Sequence, residues 1–119
     1  MGKTINIDGI EYIEKSTSPE LSADGFVLIR SYASGVHFGI IERQRDTLQG
    51  LEVVLKNARR IHYWEGAASL SQVAMEGISG ENSRVAMMLP SITVQNVIET
   101  IPLSADGFHN LSNQPVWKS

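Results

Sequence analysis

Cysteine is absent from this chain of 119 residues. Its absence excludes disulfides, catalytic thiolates and zinc sites built on cysteine. The three histidines, His37, His62 and His109, are not spaced like metal ligands, and the sequence holds neither a phosphate-binding glycine loop nor a nucleophile elbow. We therefore expect no metal site, no cofactor and no enzymatic activity.

Long apolar runs and abundant charge are missing as well. No stretch approaches the roughly 18 apolar residues of a membrane-spanning helix, so we expect no membrane partner. Charged residues make up 19% of the chain and the formal net charge is −3. That balance argues against a general nucleic-acid-binding protein, which neutralises several phosphates with a basic surface. Hydrophobic residues, at 42%, suffice for one globular core.

The first 25 residues have the features of a separate unit. Residues 4–13 (TINIDGIEYI) form two alternating runs joined by an Asp-Gly pair, which favours a two-residue hairpin turn. Residues 15–25 are polar and predict a linker. We predict an N-terminal β-hairpin arm and linker over residues 1–25, followed by one compact β-rich domain over residues 26–119.

Short alternating segments separated by turn residues dominate the rest of the chain. They predict strands at residues 26–32, 36–43, 51–55, 58–64, 84–90 and 94–101, with a polar turn over 44–50. The close turns favour antiparallel pairing. Gly39, inside one strand, predicts a bulge or a close backbone approach. The fold class is α+β, mainly β: an antiparallel twisted sheet or partial barrel with one short covering helix and the N-terminal arm.

The covering helix is predicted from its start and stop signals. Ser69 and Gln72 match a capping box, and an apolar stripe follows as far as Gly77, which fits a left-handed stop. The C-terminal segment after residue 102 is predicted to be turn-rich. There Ser104 is a possible cap, Gly107 argues against a long helix, and Trp117 is expected to dock the end of the chain.

A candidate binding site is predicted from five residues within one stretch: Arg59, Arg60, Tyr63, Trp64 and Ser69. An arginine beside an aromatic ring offers a planar stacking surface and a fork of donors for a phosphate, a base or a carboxylate. Free amides at the start of the helix would add to an anion pocket. Trp64 could equally be a core residue.

The two adjacent arginines should point to opposite faces of a strand. Only one of them can then be fully solvated, and the other requires a partner. We expect that partner to be Glu42 or Glu52 across the sheet.

Three segments resemble a family of small uncharacterised proteins encoded by tailed phages and prophages. The matching residues are VLIRSYASGVHFG (27–39), EVVLKNARRIHYWEGAASLSQVAMEG (52–77) and, more loosely, VIETIP (97–102). The likeness covers about two thirds of the chain, and residues 1–25 are an extension relative to it. The resemblance implies a phage setting and supplies no catalytic residue.

Two functions are consistent with a short chain of this kind. The first is a phage-encoded, non-enzymatic accessory protein of the host cytoplasm, a homo-oligomer that binds a host factor or a small anionic or nucleotide ligand and could antagonise a host defence. The second is a virion structural protein, a decoration or tail-associated subunit, in which the hairpin arm adds to a neighbour's sheet edge.

Overall fold

The computed structural model describes residues 25–118. The predicted hairpin over residues 4–13 and nearly all of the linker after it lie outside the described residues. The elements, in chain order, are β1 (Phe26–Ser31), β2 (Gly35–Thr47), β3 (Gly50–Tyr63), α1 (Leu70–Glu76), β4 (Arg84–Val85), β5 (Leu89–Pro102) and α2 (Ala105–Ser112).

The strands form one antiparallel sheet that curls back on itself. Its order is β2-β1-β5-β3-β4, and β2 also pairs with β3. The first half of β5 pairs with β3 and its second half with β1, so four strands complete a ring. Register shifts interrupt several pairings, and the ring is not a regular barrel. The prediction of a mainly β, antiparallel and strongly curled sheet is confirmed.

The strands β2 and β3 are longer than their residue types suggest. The predicted turn over 44–50 is wrong, because β2 continues to Thr47 and the reversal needs only Leu48 and Gln49 before Gly50. The two strands predicted over 51–55 and 58–64 are one strand, since β3 pairs with β2 on both sides of a register shift at Asn57, whose φ is 52°. Tertiary pairing thus overrides local turn signals.

Gly39 lies at an irregularity between β2 and β3. The register shifts between Phe38 and Ile40, and a Cβ at Gly39 would lie 3.0 Å from the carbonyl oxygen of Lys56 and 3.1 Å from Cα of Ala58. A larger residue would force the two strands apart. The predicted bulge with a close backbone approach is confirmed.

The two faces of the sheet carry two separate apolar clusters. The inner cluster lies inside the curl and consists of Ile29, Val53, Leu55, Ala58, Val94 and Val97. The outer cluster lies between the sheet and the helices and consists of Leu28, Val36, Phe38, Ile61, Val73, Ala74, Ile78, Val85, Leu103 and Leu111. Because neighbouring residues of a strand point to opposite faces, β1 and β3 each contribute to both clusters.

The helix α1 begins and ends at the predicted residues, although the ψ of Gly77, −162°, lies outside the left-handed helical region. The Ser69 hydroxyl accepts the Gln72 N–H at 3.2 Å, and Gly77 ends the helix at a φ of 88°. The Gln72 side chain accepts the Ala68 N–H at 2.8 Å, so its reciprocal bond falls one residue earlier than a capping box requires. Val73 and Ala74 bury the apolar stripe.

The prediction of one helix is wrong, because a second helix, α2, covers the sheet. Ser104 caps it and accepts the Gly107 N–H at 2.9 Å. Gly107 lies inside the helix because it packs directly on α1, where an added Cβ would overlap the carbonyl oxygen of Ala74. Asn110 fastens the two helices by accepting the Ile78 N–H at 2.7 Å and donating to its carbonyl at 2.9 Å.

The end of the chain returns to the edge of the sheet. Val116 forms a parallel bridge with Val85, and the Trp117 N–H donates to the Val85 carbonyl at 2.9 Å. This pairing covers β4 and confirms that Trp117 docks the C-terminal segment. No helix within residues 25–118 is long and apolar enough to cross a membrane.

Candidate functional site

Arg59 is buried and serves the fold. It is 5% exposed, and its guanidinium donates to six main-chain carbonyls. The shortest bonds run from Nε to Ala86 at 2.7 Å and from Nη1 to Gln114 at 2.9 Å. Others reach Leu111 and Ser112, whose carbonyls close α2. Arg59 therefore joins β3 to β4, to α2 and to the C-terminal segment.

The prediction that a carboxylate, Glu42 or Glu52, pairs with the buried arginine is wrong. Glu52 bonds instead to Arg45 and Gln95, and Glu42 is exposed. Carbonyl oxygens replace a carboxylate around Arg59, and burial lowers the pKa of its guanidinium below its ordinary value. Every residue has a main-chain carbonyl, so the sequence does not show which carbonyls will bind the arginine.

Trp64 and Ser69 are also engaged within the fold. Trp64 is half-buried and packs against the outer cluster. The Ser69 hydroxyl is occupied as the cap of α1. The structure therefore separates these two residues from the surface that carries Arg60.

Arg60 lies on the opposite face of β3 from Arg59 and is exposed. It pairs in register with His37, and a Cβ at Gly35 would lie 3.8 Å from its Nη2 atom. His62 follows on the same face, because Ile61 between them points into the outer cluster.

Two residues from later in the chain extend this surface. Arg84 is exposed beside the buried Val85, and its guanidinium lies 5.4 Å from the ring centroid of Trp117. The His62 ring lies 5.3 Å from the same indole ring. We call Arg60, His62, Arg84 and Trp117 the basic face.

Tyr63 borders the basic face at its pairing with Arg84. The guanidinium of Arg84 lies 5.8 Å from the phenol ring, so it contacts two aromatic rings. The Tyr63 hydroxyl donates to Glu65, and this bond raises the pKa of the phenol. Tyr63 is 45% exposed and Trp117 is 47% exposed, which leaves both rings accessible to a ligand.

The arginines of the basic face differ from others in the domain. Arg30 and Arg45 form ion pairs with Glu99 and Glu52. Within residues 25–118, neither Arg60 nor Arg84 has a carboxylate oxygen within 4.0 Å. The basic face thus presents two guanidinium groups to solvent, and both retain their capacity to bind an anion.

His37 lies beneath Arg60 and is 1% exposed. Its Nδ1 atom is buried and has no hydrogen-bond partner. Burial first, then the positive charge of Arg60, lowers the pKa of His37 to about 4. The imidazole is therefore neutral at pH 7, and it places an unpaired polar atom under the basic face.

Other chemistry is sparse in residues 25–118. They contain no group of three or more His, Asp or Glu side chains that could hold a metal ion. A small pocket of about 40 Å³ lies on the distant part of β2 and β3, lined by Arg43, Gln44, Arg45, Glu52 and Val54. That volume has room for about one water molecule.

Sequence reasoning found Arg60 and Tyr63 but missed their neighbours. The pairing of β3 with β4, and of β4 with the chain end, brings Arg84 and Trp117 onto the face that carries His62. The alternation of exposed Arg84 with apolar Val85 was the available signal, and it was too short to assign a face.

The comparisons with known proteins identify the domain. No curated protein and no solved structure matches the chain. The model of one family, described as a domain of unknown function (DUF6948), matches residues 25–111. That range contains all seven elements except the last residue of α2. The chain therefore belongs to the DUF6948 family.

Proposed function

We propose that this protein is a non-enzymatic accessory protein that binds an anionic partner, a host factor or a small ligand, through its basic face. The observation that carries the proposal is the exposure of Arg60 and Arg84 on one side of the sheet without a carboxylate partner in the described residues. A phage or prophage origin, the host cytoplasm and a homo-oligomeric state belong to the same proposal.

The neighbouring rings support a recognition role. The guanidinium of Arg84 lies 5.4 Å from the ring centroid of Trp117 and 5.8 Å from that of Tyr63, and these contacts limit its freedom before a ligand arrives. A donor fork that is already oriented loses less entropy on binding a carboxylate or phosphate. Among residues 25–118, no aromatic ring lies over the Arg60 guanidinium, which lies beside the turn at Gly35.

Native mass spectrometry of the full chain isolated from infected cells tests the proposal. The wild type is expected to retain a small anion or a partner protein. The double variant Arg60→Met, Arg84→Met is expected to lose it. Arg43→Met is the matched control, because it removes one positive charge from an exposed position on the distant part of β2.

Two results would contradict the proposal. One is a wild-type chain that retains no anion and no partner. The other is a partner that the double variant retains as well as the wild type does.

The alternative of a virion structural subunit rested on the hairpin arm over residues 4–13, which lies outside the described residues. Copy number separates the two functions. Many copies in purified particles would favour the structural role, whereas early expression and absence from particles would favour the accessory role.

A further inference from the structure

We infer that the ligand of the basic face is a free nucleotide, with its base stacked on Trp117 and its phosphate bound by Arg60. This inference rests on the proposed function and narrows it from anions in general to planar aromatic phosphates. The aromatic rings and the guanidinium groups of the basic face then belong to one site.

The aromatic half of the site is an array of flat groups. Trp117 contacts the His62 ring at 5.3 Å and the Arg84 guanidinium at 5.4 Å, and it remains 47% exposed. Indole and guanidinium planes are the surfaces on which nucleobases stack. An acidic peptide would use the charges of this face and leave its exposed indole without a role.

The phosphate half of the site lies two strand spacings from Trp117. Ala86, two residues after Arg84, donates its N–H to the Arg60 carbonyl at 2.9 Å, and Trp117 bonds to Val85. Two strand spacings, about 10 Å, therefore separate the backbones of Arg60 and Trp117. The Arg60 guanidinium lies toward Gly35 of β2, where a Cβ would be 3.8 Å from its Nη2 atom. A nucleotide stacked on Trp117 therefore has to extend across β3 to place its phosphate there.

His37 lies under the Arg60 end of the site and is closed to a ligand at the surface. It is 1% exposed, its Nδ1 atom has no partner, and it stands opposite Arg60 in the pairing of β2 with β3. Because the Nδ1 atom is itself buried, a phosphate bound at the surface cannot reach it, and Arg60 supplies the donors at this end of the site.

The charge of the chain favours a free nucleotide over a nucleic acid strand. The formal net charge is −3, and the basic face contributes two arginines to one small surface. A strand would need a positive groove that follows several phosphates.

Calorimetric titration with adenosine 5′-monophosphate, ribose 5-phosphate and a pentadeoxyadenylate tests the inference in the full chain. We expect the nucleotide to bind at least roughly tenfold tighter than ribose 5-phosphate, because stacking strengthens binding by that order. Trp117→Ala should remove this advantage and leave ribose 5-phosphate binding unchanged. Arg60→Met should weaken both. Leu48→Ala, which truncates a fully exposed side chain in the β2–β3 turn at the other end of these strands, should change neither.

An NMR titration adds a readout that a structural role would not move. The chain has two tryptophans, hence two indole N–H signals, and Trp117→Ala assigns them. The nucleotide should shift the Trp117 signal by its ring current and leave that of half-buried Trp64 in place.

The outcomes separate this inference from the proposed function. Equal affinity for the nucleotide and ribose 5-phosphate would overturn the nucleotide assignment while leaving anion binding intact. Tenfold tighter binding of the pentadeoxyadenylate would overturn the choice of a free nucleotide. Binding of none of the three probes, with a partner protein retained from cells, would overturn the inference alone. If none of the three probes binds and the chain from cells retains neither an anion nor a partner protein, both the inference and the proposed function are overturned.

Discussion

Replacing the buried Arg59 with methionine should destabilise the fold severely, whereas the same change at Arg60 should not. The two residues are adjacent and chemically identical, but one is 5% exposed and bonded to carbonyls while the other is exposed. Methionine keeps much of the apolar stem and removes the donors. The pair therefore isolates the contribution of the guanidinium in each setting.

The expected magnitude follows from the two short bonds of Arg59. Those to Ala86 at 2.7 Å and to Gln114 at 2.9 Å are the well-formed ones, and the remaining four lie between 3.3 and 3.5 Å. A hydrogen bond from a charged donor contributes about 1.5–3 kcal/mol to stability. Because the bonds share one group and do not add fully, we expect Arg59→Met to lower the free energy of unfolding by about 3 kcal/mol.

Urea unfolding followed by circular dichroism measures this difference, with thermal melting as a second probe. For a domain of this size, about 3 kcal/mol corresponds to a fall in Tm of roughly 10 °C. Arg60→Met should stay within about 0.5 kcal/mol of the wild type. An Arg59→Met protein within about 1 kcal/mol of the wild type would refute the role assigned to the carbonyl bonds.

Two further predictions concern the helices and the buried histidine. Gly107→Ala should lower the free energy of unfolding by about 1–3 kcal/mol, because the added methyl overlaps the Ala74 carbonyl and drives α1 and α2 apart. The control is Gly80→Ala, whose Cβ would have its nearest neighbour at 3.5 Å. Equal urea midpoints for the two variants would contradict the close packing of α1 on α2. The folded-state pKa of His37 is about 4 against 6.5 for an ordinary histidine, so the unfolded chain takes up a proton first and stability is lost as pH falls from about 6.5 to about 4. The free energy of unfolding should change with a slope of up to about 1.4 kcal/mol per pH unit. In urea titrations across this range, His37→Gln should remove this slope and His109→Gln should keep it. An unchanged slope in His37→Gln would contradict the lowered pKa assigned to His37.

The parts of the fold that follow from local sequence were predictable. The alternation in β1, the serine cap of α1 and the glycine that ends it each rest on neighbouring residues, and the structure confirms them. The second helix was missed because Gly107 weakens helix propensity locally. Its benefit, close contact with α1, arises only once both helices pack on the sheet.

The candidate site was harder to predict for a related reason. Arg60 and Tyr63 are close together in sequence, but Arg84 and Trp117 join them through pairings that no local pattern encodes. The hydrogen-bond partners of Arg59 could not be predicted for the same reason, because they are main-chain oxygens from distant segments. Long-range pairing, rather than composition, decides which residues form the basic face.

The closed ring of strands has a consequence for the order of folding. The pairing of β1 with β5 joins Val27 to Pro102, and the bonds of Arg59 reach Gln114 and Pro115. During synthesis, the β2–β3 hairpin can form early, but neither the ring nor the buried arginine is satisfied until nearly the whole domain has left the ribosome. Such non-local contacts make folding slow. The nascent chain therefore exposes an incomplete sheet with unpaired strand edges until the end of its synthesis.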